Sequence, residues 1–452
     1  WRPMIGGGAG RREPRPRDSP GAPARHDQAM PATRRSFIGE RAAAASAPAL
    51  PRTWRRPLRL MVIGVGGRGQ ANLEGVAGEQ VDVLCDVDEQ LLQKAAARFP
   101  AARTCVDYRE VLTDARQCER LDGVVVSTPD HTHYGPAMLA VEAGLDLYCE
   151  KPLTQTVAQA RRLTRAAAAR GVVTQMGIQI HANENFRRVV EAVRHGACGT
   201  IREVLVFVNG TDWSAGQLPA PSAPPAHLHW DLSLGPAAPR PYAADYHPAG
   251  WRRYWAFGGG TTADMACHYL DLAFWALSLD APTTVLADGP EPHAECAPGG
   301  MRCSFAFPRR DDRPALVLHW HAGADRPAAA LRARGLDEWR NGVLFVGDDG
   351  WLVSDYNRHL VGPDARRARW QAPTASIPPS PGHHKEWLDA CRNRTQPSCS
   401  FAYAGPLTET ALLANVAFRA ARGRRLDWRA RELSTGDAAA DAMLDVAPRA
   451  GW

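Results

Sequence analysis

From Leu58 onward, short apolar runs alternate with stretches whose apolar residues recur at helical spacing. Leu58–Ile63, Val81–Cys85, Val124–Ser127, Leu145–Cys149 and Val172–Met176 are nearly unbroken in hydrophobicity, as strands buried on both faces must be. Between them, Arg68–Gly78, Glu89–Phe99, His133–Ala143 and Thr156–Arg170 read as helices. Strand–helix repetition of this kind predicts an α/β fold with a doubly wound parallel sheet over residues 58–178. A second series of apolar runs follows at Ile201–Val208, Thr283–Leu286, Arg302–Phe307, Ala315–Trp320, Gly342–Val346 and Trp351–Ser354, predicting a second sheet within a domain over 179–430. Residues 209–260 are a proline-rich loop, 383–422 read as two helices broken at Gly405-Pro406, and 431–452 read as a tail.

Composition changes this picture at one end. Residues 1–57 hold 12 arginines and 4 acids, whereas the remainder carries 42 basic and 44 acidic groups. The formal charge of +6 is therefore a property of the N-terminal segment, and the near-neutral remainder argues against nucleic acid as a partner. That segment lacks periodicity and reads as a disordered extension. Within it, Thr33-Arg34-Arg35-Ser36-Phe37-Ile38 and the Ala-rich stretch to Ala49 resemble a twin-arginine signal. The signal predicts a periplasmic or exported protein; an arginine pair in an arginine-rich tail, on a cytoplasmic protein, is the other reading. No apolar run is long enough for an integral membrane segment. Ten cysteines contain no C-x-x-C pair, and His227/His229 and His383-His384 lack completing ligands, so no metal site is expected.

The first predicted strand runs into Gly64-Val65-Gly66-Gly67-Arg68-Gly69, a G-x-G-x-x-G that opens the first helix. Gly64 permits a tight turn, Gly66 lets backbone approach a pyrophosphate, and Gly69 lets helix pack on strand. Asp86 ends the second strand at the spacing of a carboxylate that binds a ribose 2′-hydroxyl, so the cofactor expected is NAD and not NADP. The ends of later strands carry Thr128-Pro129 with His133, and Glu150-Lys151-Pro152, which should face the same crevice. Lys151 is one of only three lysines, with Lys94 and Lys385, among 54 basic residues. Positions needing charge alone have gone to arginine, which marks a lysine for work requiring a titratable amine. A surface ion pair is the alternative for Glu150 and Lys151. Asp264 and His268, four apart on a predicted helix, can share one face and hydrogen-bond; a cap or a core histidine is the alternative.

Together, the glycine turn, Glu150-Lys151-Pro152 and Gly258-Gly259-Gly260-Thr261-Thr262-Ala263-Asp264-Met265-Ala266-Cys267-His268 resemble the Gfo/Idh/MocA oxidoreductases over roughly residues 58–430. The resemblance implies a Rossmann domain followed by an α/β domain with an open, largely antiparallel sheet, often used in dimer or tetramer contact. It implies catalysis by Lys151, Asp264 and His268. Hydride would pass from a secondary alcohol of a sugar or polyol to NAD, His268 backed by Asp264 would take the proton, and Lys151 would steady the oxygen. The Gly64–Gly69 turn, Asp86, Thr128, Pro129, His133, Glu150 and Lys151 would hold the cofactor. His181, and Trp251 and Tyr254 among the loop aromatics, are substrate candidates. The alternatives are an NAD-dependent glycosidase with no net redox and a catalytically silent sugar-binding relative.

Overall fold

A computed structural model describes residues 56–310 and 313–452; the twin-arginine segment lies outside the described residues. The first domain is a six-stranded parallel sheet of β1 (Arg59–Ile63), β2 (Gln80–Cys85), β3 (Arg103–Cys105), β4 (Gly123–Val126), β5 (Asp146–Glu150) and β6 (Thr174–Gly177). Its order, β3-β2-β1-β4-β5-β6, places the topological switch point between β1 and β4. Alternate residues of β1 enter different cores: Met61 and Ile63 lie in one, Leu60 and Val62 in the other. That two-sided burial accounts for the unbroken apolar runs. Helices α1 (Arg68–Gly75), α2 (Glu89–Arg98), α3 (Tyr134–Glu142) and α4 (Val157–Arg170) connect the strands close to the predicted bounds. Only β3, three residues long and mostly exposed, escaped the pattern.

The second domain carries an eight-stranded sheet of β7 (Ile201–Val208), β8 (Thr284–Asp288), β9 (Gly300–Phe307), β10 (Leu316–Gly323), β11 (Asn341–Gly347), β12 (Trp351–Ser354), β13 (His359–Gly362) and β14 (Arg425–Asp427). Its order is β13-β12-β11-β7-β10-β9-β8-β14, antiparallel except for the parallel β7–β10 pair. Helices α5 (Glu184–Arg194), α6 (Gly260–Leu277), α7 (His383–Asn393) and α8 (Phe401–Ala421) complete the framework. The break between α7 and α8 falls at 394–400 and not at Gly405-Pro406, which lies inside α8. Gly405 sits there for contact, since a Cβ would collide with the Thr164 hydroxyl on α4. Trp387 of α7 is fully buried in the first domain's core, so the two domains share a hydrophobic interior.

Residues 431–452 are a fastener and not a loose tail. Ala440 and Leu444 are buried, Arg449 donates to Asp231 Oδ1 at 2.7 Å, and Trp452 lies under the Arg109 guanidinium at 4.0 Å. All ten cysteines are free and buried, the behaviour of small core residues. Among the described residues no helix is long and apolar enough to cross a membrane, and no cluster of metal-ligating side chains occurs.

Candidate functional site

A cavity of about 480 Å³ opens at the carboxyl ends of β1, β2, β4 and β5. Gly64, Gly66, Gly67, Arg68, Asp86, Thr128, Pro129, Glu150, Lys151, Trp251 and His268 all line it. Gly64 and Gly69 have the geometry their spacing predicts, whereas a Cβ on Gly66 would meet the Leu91 side chain at 2.5 Å and not open space. Gly64 has φ +81°, and a Cβ there would lie 2.6 Å from the Ser127 carbonyl oxygen. A Cβ on Gly69 would strike the Gly64 carbonyl, while one on Gly67 would meet nothing within 4 Å, leaving that backbone open to a ligand. No side chain caps the start of α1 and no acid occupies its first turn, so its N–H groups and positive dipole end remain available to an anion. Across the crevice, the buried Thr128 hydroxyl has no protein partner. Asp86 Oδ2 accepts the Val65 N–H at 2.8 Å and Oδ1 the Asp88 N–H at 2.9 Å, which fixes the carboxylate and leaves each oxygen a lone pair. Uncapped amides, an unpartnered hydroxyl and an oriented carboxylate fit a dinucleotide.

Glu150 faces inward under this crevice. It accepts hydrogen bonds from Asn72 Nδ2 at 2.9 Å and Arg68 Nε at 3.1 Å, tying the strand end to α1. His133 corrects the expectation of a cofactor contact. It is 1% exposed, with Nδ1 2.8 Å from the Pro152 carbonyl and Nε2 2.8 Å from the Thr128 carbonyl. Its ring braces the two cavity-lining segments against each other from behind.

Lys151, preceding a cis peptide bond to Pro152, crosses to the second domain. Its ammonium donates to Asp264 Oδ1 at 2.7 Å and to the Asp264 carbonyl at 2.9 Å. The same carboxylate accepts Arg252 Nε at 3.1 Å and Trp213 Nε1 at 2.8 Å. Burial alone would raise the Asp264 carboxyl, but the Lys151 and Arg252 cations hold it far below the usual carboxylate range. Burial opposes the charge on Lys151, and Asp264 with Asp130 more than restores it. The expected Asp264–His268 hydrogen bond is absent, because charged donors from other segments occupy the carboxylate. His268 Nδ1 is buried without a partner, and burial together with Lys151 lowers its pKa to about 3. The imidazole is neutral.

Two substrate candidates lie elsewhere. His181 is buried against Asp271, 2.8 Å from Oδ1, and stacks on Trp275. Tyr254 is 2% exposed, and its hydroxyl donates to Asp245 Oδ2 at 2.7 Å. Both belong to packing outside the cavity wall. Trp251 does line it, with the Arg252 guanidinium 4.2 Å over its ring. Sequence reasoning missed Arg252 and the contact of Trp213 with Asp264, and gave no role to Asp130, which borders the cavity beside Lys151. Arginine abundance hid the first; for Asp130 the signal was its place directly after Thr128-Pro129.

The long loop supplies the cavity's roof. Its residues 227–229 run against the β2–α2 turn, with the Glu89 N–H donating to the His227 carbonyl and the His229 N–H to the Val87 carbonyl, each at 2.9 Å. His227 Nδ1 and His247 Nε2 reach the two oxygens of Asp88 at 3.0 and 3.1 Å, and His229 Nε2 lies 2.7 Å from Glu89 Oε1. Leu232, Ser233, His247 and Ala249 then face the cavity from this strap.

Comparison with known proteins agrees with this architecture. Residues 58–178 match the Gfo/Idh/MocA model described as the oxidoreductase family's NAD-binding Rossmann fold, and residues 184–327 match its C-terminal alpha/beta domain. Inositol 2-dehydrogenase of Rhodococcus erythropolis is 30% identical over 31% of this chain and 41% of its own length. Levoglucosan dehydrogenase of Pseudarthrobacter phenanthrenivorans is 27% identical over 42% and 41%, respectively. The chain thus aligns with about two fifths of each of these relatives. GenD2 from gentamicin A biosynthesis, solved in complex with NAD, shares the fold at a TM-score of 0.56 and 21% identity, covering 84% of this chain and 100% of that one. The two family matches together take in more than half of the sequence, and the chain belongs to the Gfo/Idh/MocA oxidoreductase family.

Proposed function

We propose that the protein is an NAD-dependent oxidoreductase acting on a secondary alcohol of a sugar, polyol or derivative. The observation that carries this reading is the Lys151–Asp264 pair set into the wall of the dinucleotide crevice. The glycine turn and α1 hold the pyrophosphate, Asp86 the ribose, and Thr128 offers its hydroxyl to the same ligand. When bound, NAD supplies the nicotinamide carbon that accepts hydride. Asp264 keeps Lys151 charged and aimed, so its ammonium can hydrogen-bond the substrate oxygen and stabilise developing alkoxide before any rearrangement. Arg252 and Trp213 hold Asp264 from its other side. His268, neutral on the same wall, accepts the hydroxyl proton, and its low basicity means that it passes that proton on. Trp251 offers a flat face for the C–H surface of a ring.

A second reading rests on the strap. A roof fastened to the β2–α2 turn favours a retained cofactor, which suits an NAD-dependent glycosidase that oxidises and re-reduces its substrate in one cycle. A twin-arginine signal at Arg34-Arg35 would carry the protein to where free NAD is scarce, which fits the same reading. Incubating the purified protein with sugars, polyols and aryl glycosides, with and without added NAD, separates the two. Steady NADH formation supports the dehydrogenase, and aglycone release without NADH supports the glycosidase. Binding of sugars with neither product would reject both.

A further inference from the structure

Under the oxidoreductase reading, on which this inference rests, every oxidised alcohol leaves one proton inside the cavity. Asp264 is engaged by three donors, and His268, lowered to about 3 by burial and Lys151, holds a proton only in passing. Asp130 is placed differently. It is the first residue of the short turn Asp130–Thr132 after β4 and is 6% exposed. It borders the cofactor cavity, and it also borders a second cavity of about 60 Å³ lined by Gln155, Thr156, Trp255, Asn415, Arg419 and Val446. Val446 is 58% exposed, so this second space reaches the surface, and it has room for a few waters. Asp130 thus stands in the wall between the reacting groups and an outlet.

We propose that Asp130 carries the alcohol proton from the active cavity to the second cavity, with Lys151 as its donor. In the forward direction the substrate O–H bond breaks and hydride leaves carbon for NAD. Lys151 passes one N–H proton to the Asp130 carboxylate, forming the carboxylic acid, and the proton taken up by His268 refills the amine. The acid then discharges to water in the second cavity, so one proton leaves per hydride transferred. Asp130 is faced by Lys151 from the end of β5, Arg252 from the turn Gly250–Arg253 and Asp264 from α6. Arg419 of α8 faces the second cavity. The nearby thiols of Cys149 and Cys267 are raised by burial and stay protonated. Burial pushes the Asp130 carboxyl up to about 7, against the pull of Lys151 and Arg252, so it both accepts and releases a proton near neutrality. Below that value it already holds a proton, and alcohol oxidation should fall as the pH falls.

The test uses the full-length protein loaded with NAD. Wild type should lose oxidation rate tenfold per pH unit below about pH 7. Asp130→Asn should bind NAD normally, lose about 100-fold in kcat above neutrality and lack this inflection. Asp130→Glu should restore the inflection. Independently of turnover, infrared spectra should show a carboxylic C=O band titrating near neutrality in wild type and missing from Asp130→Asn. Normal turnover and an unchanged profile in Asp130→Asn, or no such band in wild type, overturns the relay alone. A wild-type protein that reduces no NAD with any alcohol removes the parent reading and the relay with it.

Discussion

Lys151 and Asp264 meet across the two domains, ammonium to carboxylate at 2.7 Å, with side chains only 12% and 14% exposed. The lysine directly follows the fifth strand of one sheet, and the aspartate lies in the first turns of the helix that packs on the other. Their meeting also explains why the imidazole four residues beyond Asp264 stands alone. A helical spacing of four allows an Asp–His bond, but three donors from outside the helix, two of them charged, outcompete a neutral ring.

Partner number predicts an order of stability. Removing Asp264 leaves Lys151 buried with only a carbonyl, whereas removing Lys151 leaves Asp264 with Arg252 and Trp213. Asp264→Ala should therefore destabilise by about 3–5 kcal/mol and Lys151→Met by distinctly less. Calorimetric melting of the two variants checks this, and the reverse order would contradict the assigned partners. Lys151→Arg, which keeps charge but neither shape nor titratability, should bind NAD yet lose most turnover.

Acid stability follows from three buried groups. His268 and His131 are lowered by burial to about 3 and about 4, so between pH 6.5 and 4 the unfolded chain takes up protons that the native rings refuse. Stability from these two groups is complete above the unfolded value of 6.5 and is lost as the pH falls. Asp130, raised by burial to about 7, works in the opposite sense, since the native state binds its proton first. The two histidines outweigh the single carboxyl, giving a net loss on the order of 3 kcal/mol from pH 7 to 4. In a pH series of melting temperatures, His268→Gln should flatten the slope and Asp130→Asn should steepen it. Slopes moving together would refute the opposed signs.

The strap should govern how long the cofactor stays. Replacing both His227 and His247 with alanine removes two contacts to Asp88 and leaves that carboxylate capping the Gln90 and Leu91 amides of α2. The fold should persist while NAD co-purifying with the protein falls and its release accelerates about tenfold. Stopped-flow displacement of bound NADH reads this directly. An unchanged release rate would make the strap a bystander.

The Rossmann domain was legible because its strands bury both faces and its glycine turn has rigid steric demands. The second sheet was legible strand by strand, except β13 and β14, short strands with two buried residues and one, respectively. Lys151, Asp264 and His268 were found through their local motifs, but not their pairing, which depends on segments that the fold alone brings together. His133 and His181 illustrate the same limit from the other side. Each was a plausible site histidine, yet His133 turns both ring nitrogens to buried carbonyls and His181 turns Nδ1 to the buried Asp271. Asp130 is marked by its place directly after Thr128-Pro129, whereas Arg252 and the histidine strap carry no spacing signal, because each acts across a distance in sequence that no local pattern encodes.

Cofactor choice turns on Asp86. Asp86 is held by two backbone amides, so it cannot swing away from a ligand arriving at the end of β2. Val87 and Asp88 follow it, and the histidines that approach are committed to Asp88. A ribose 2′-hydroxyl can donate to the free lone pairs of Asp86, whereas a 2′-phosphate would place its charge against two carboxylates, with Val87 and Asp88 in place of an arginine next in the chain. Like charges so juxtaposed cost several kcal/mol, so NADP should bind at least about 100-fold more weakly than NAD. Asp86→Asn keeps the side chain's size and removes one charge. It should weaken NAD by about tenfold through loss of a charge-assisted hydrogen bond, and at the same time strengthen NADP, narrowing the gap from both sides. Calorimetric titration with each dinucleotide measures the two effects separately. Equal affinities in the wild-type protein would show that the carboxylate does not face the ribose.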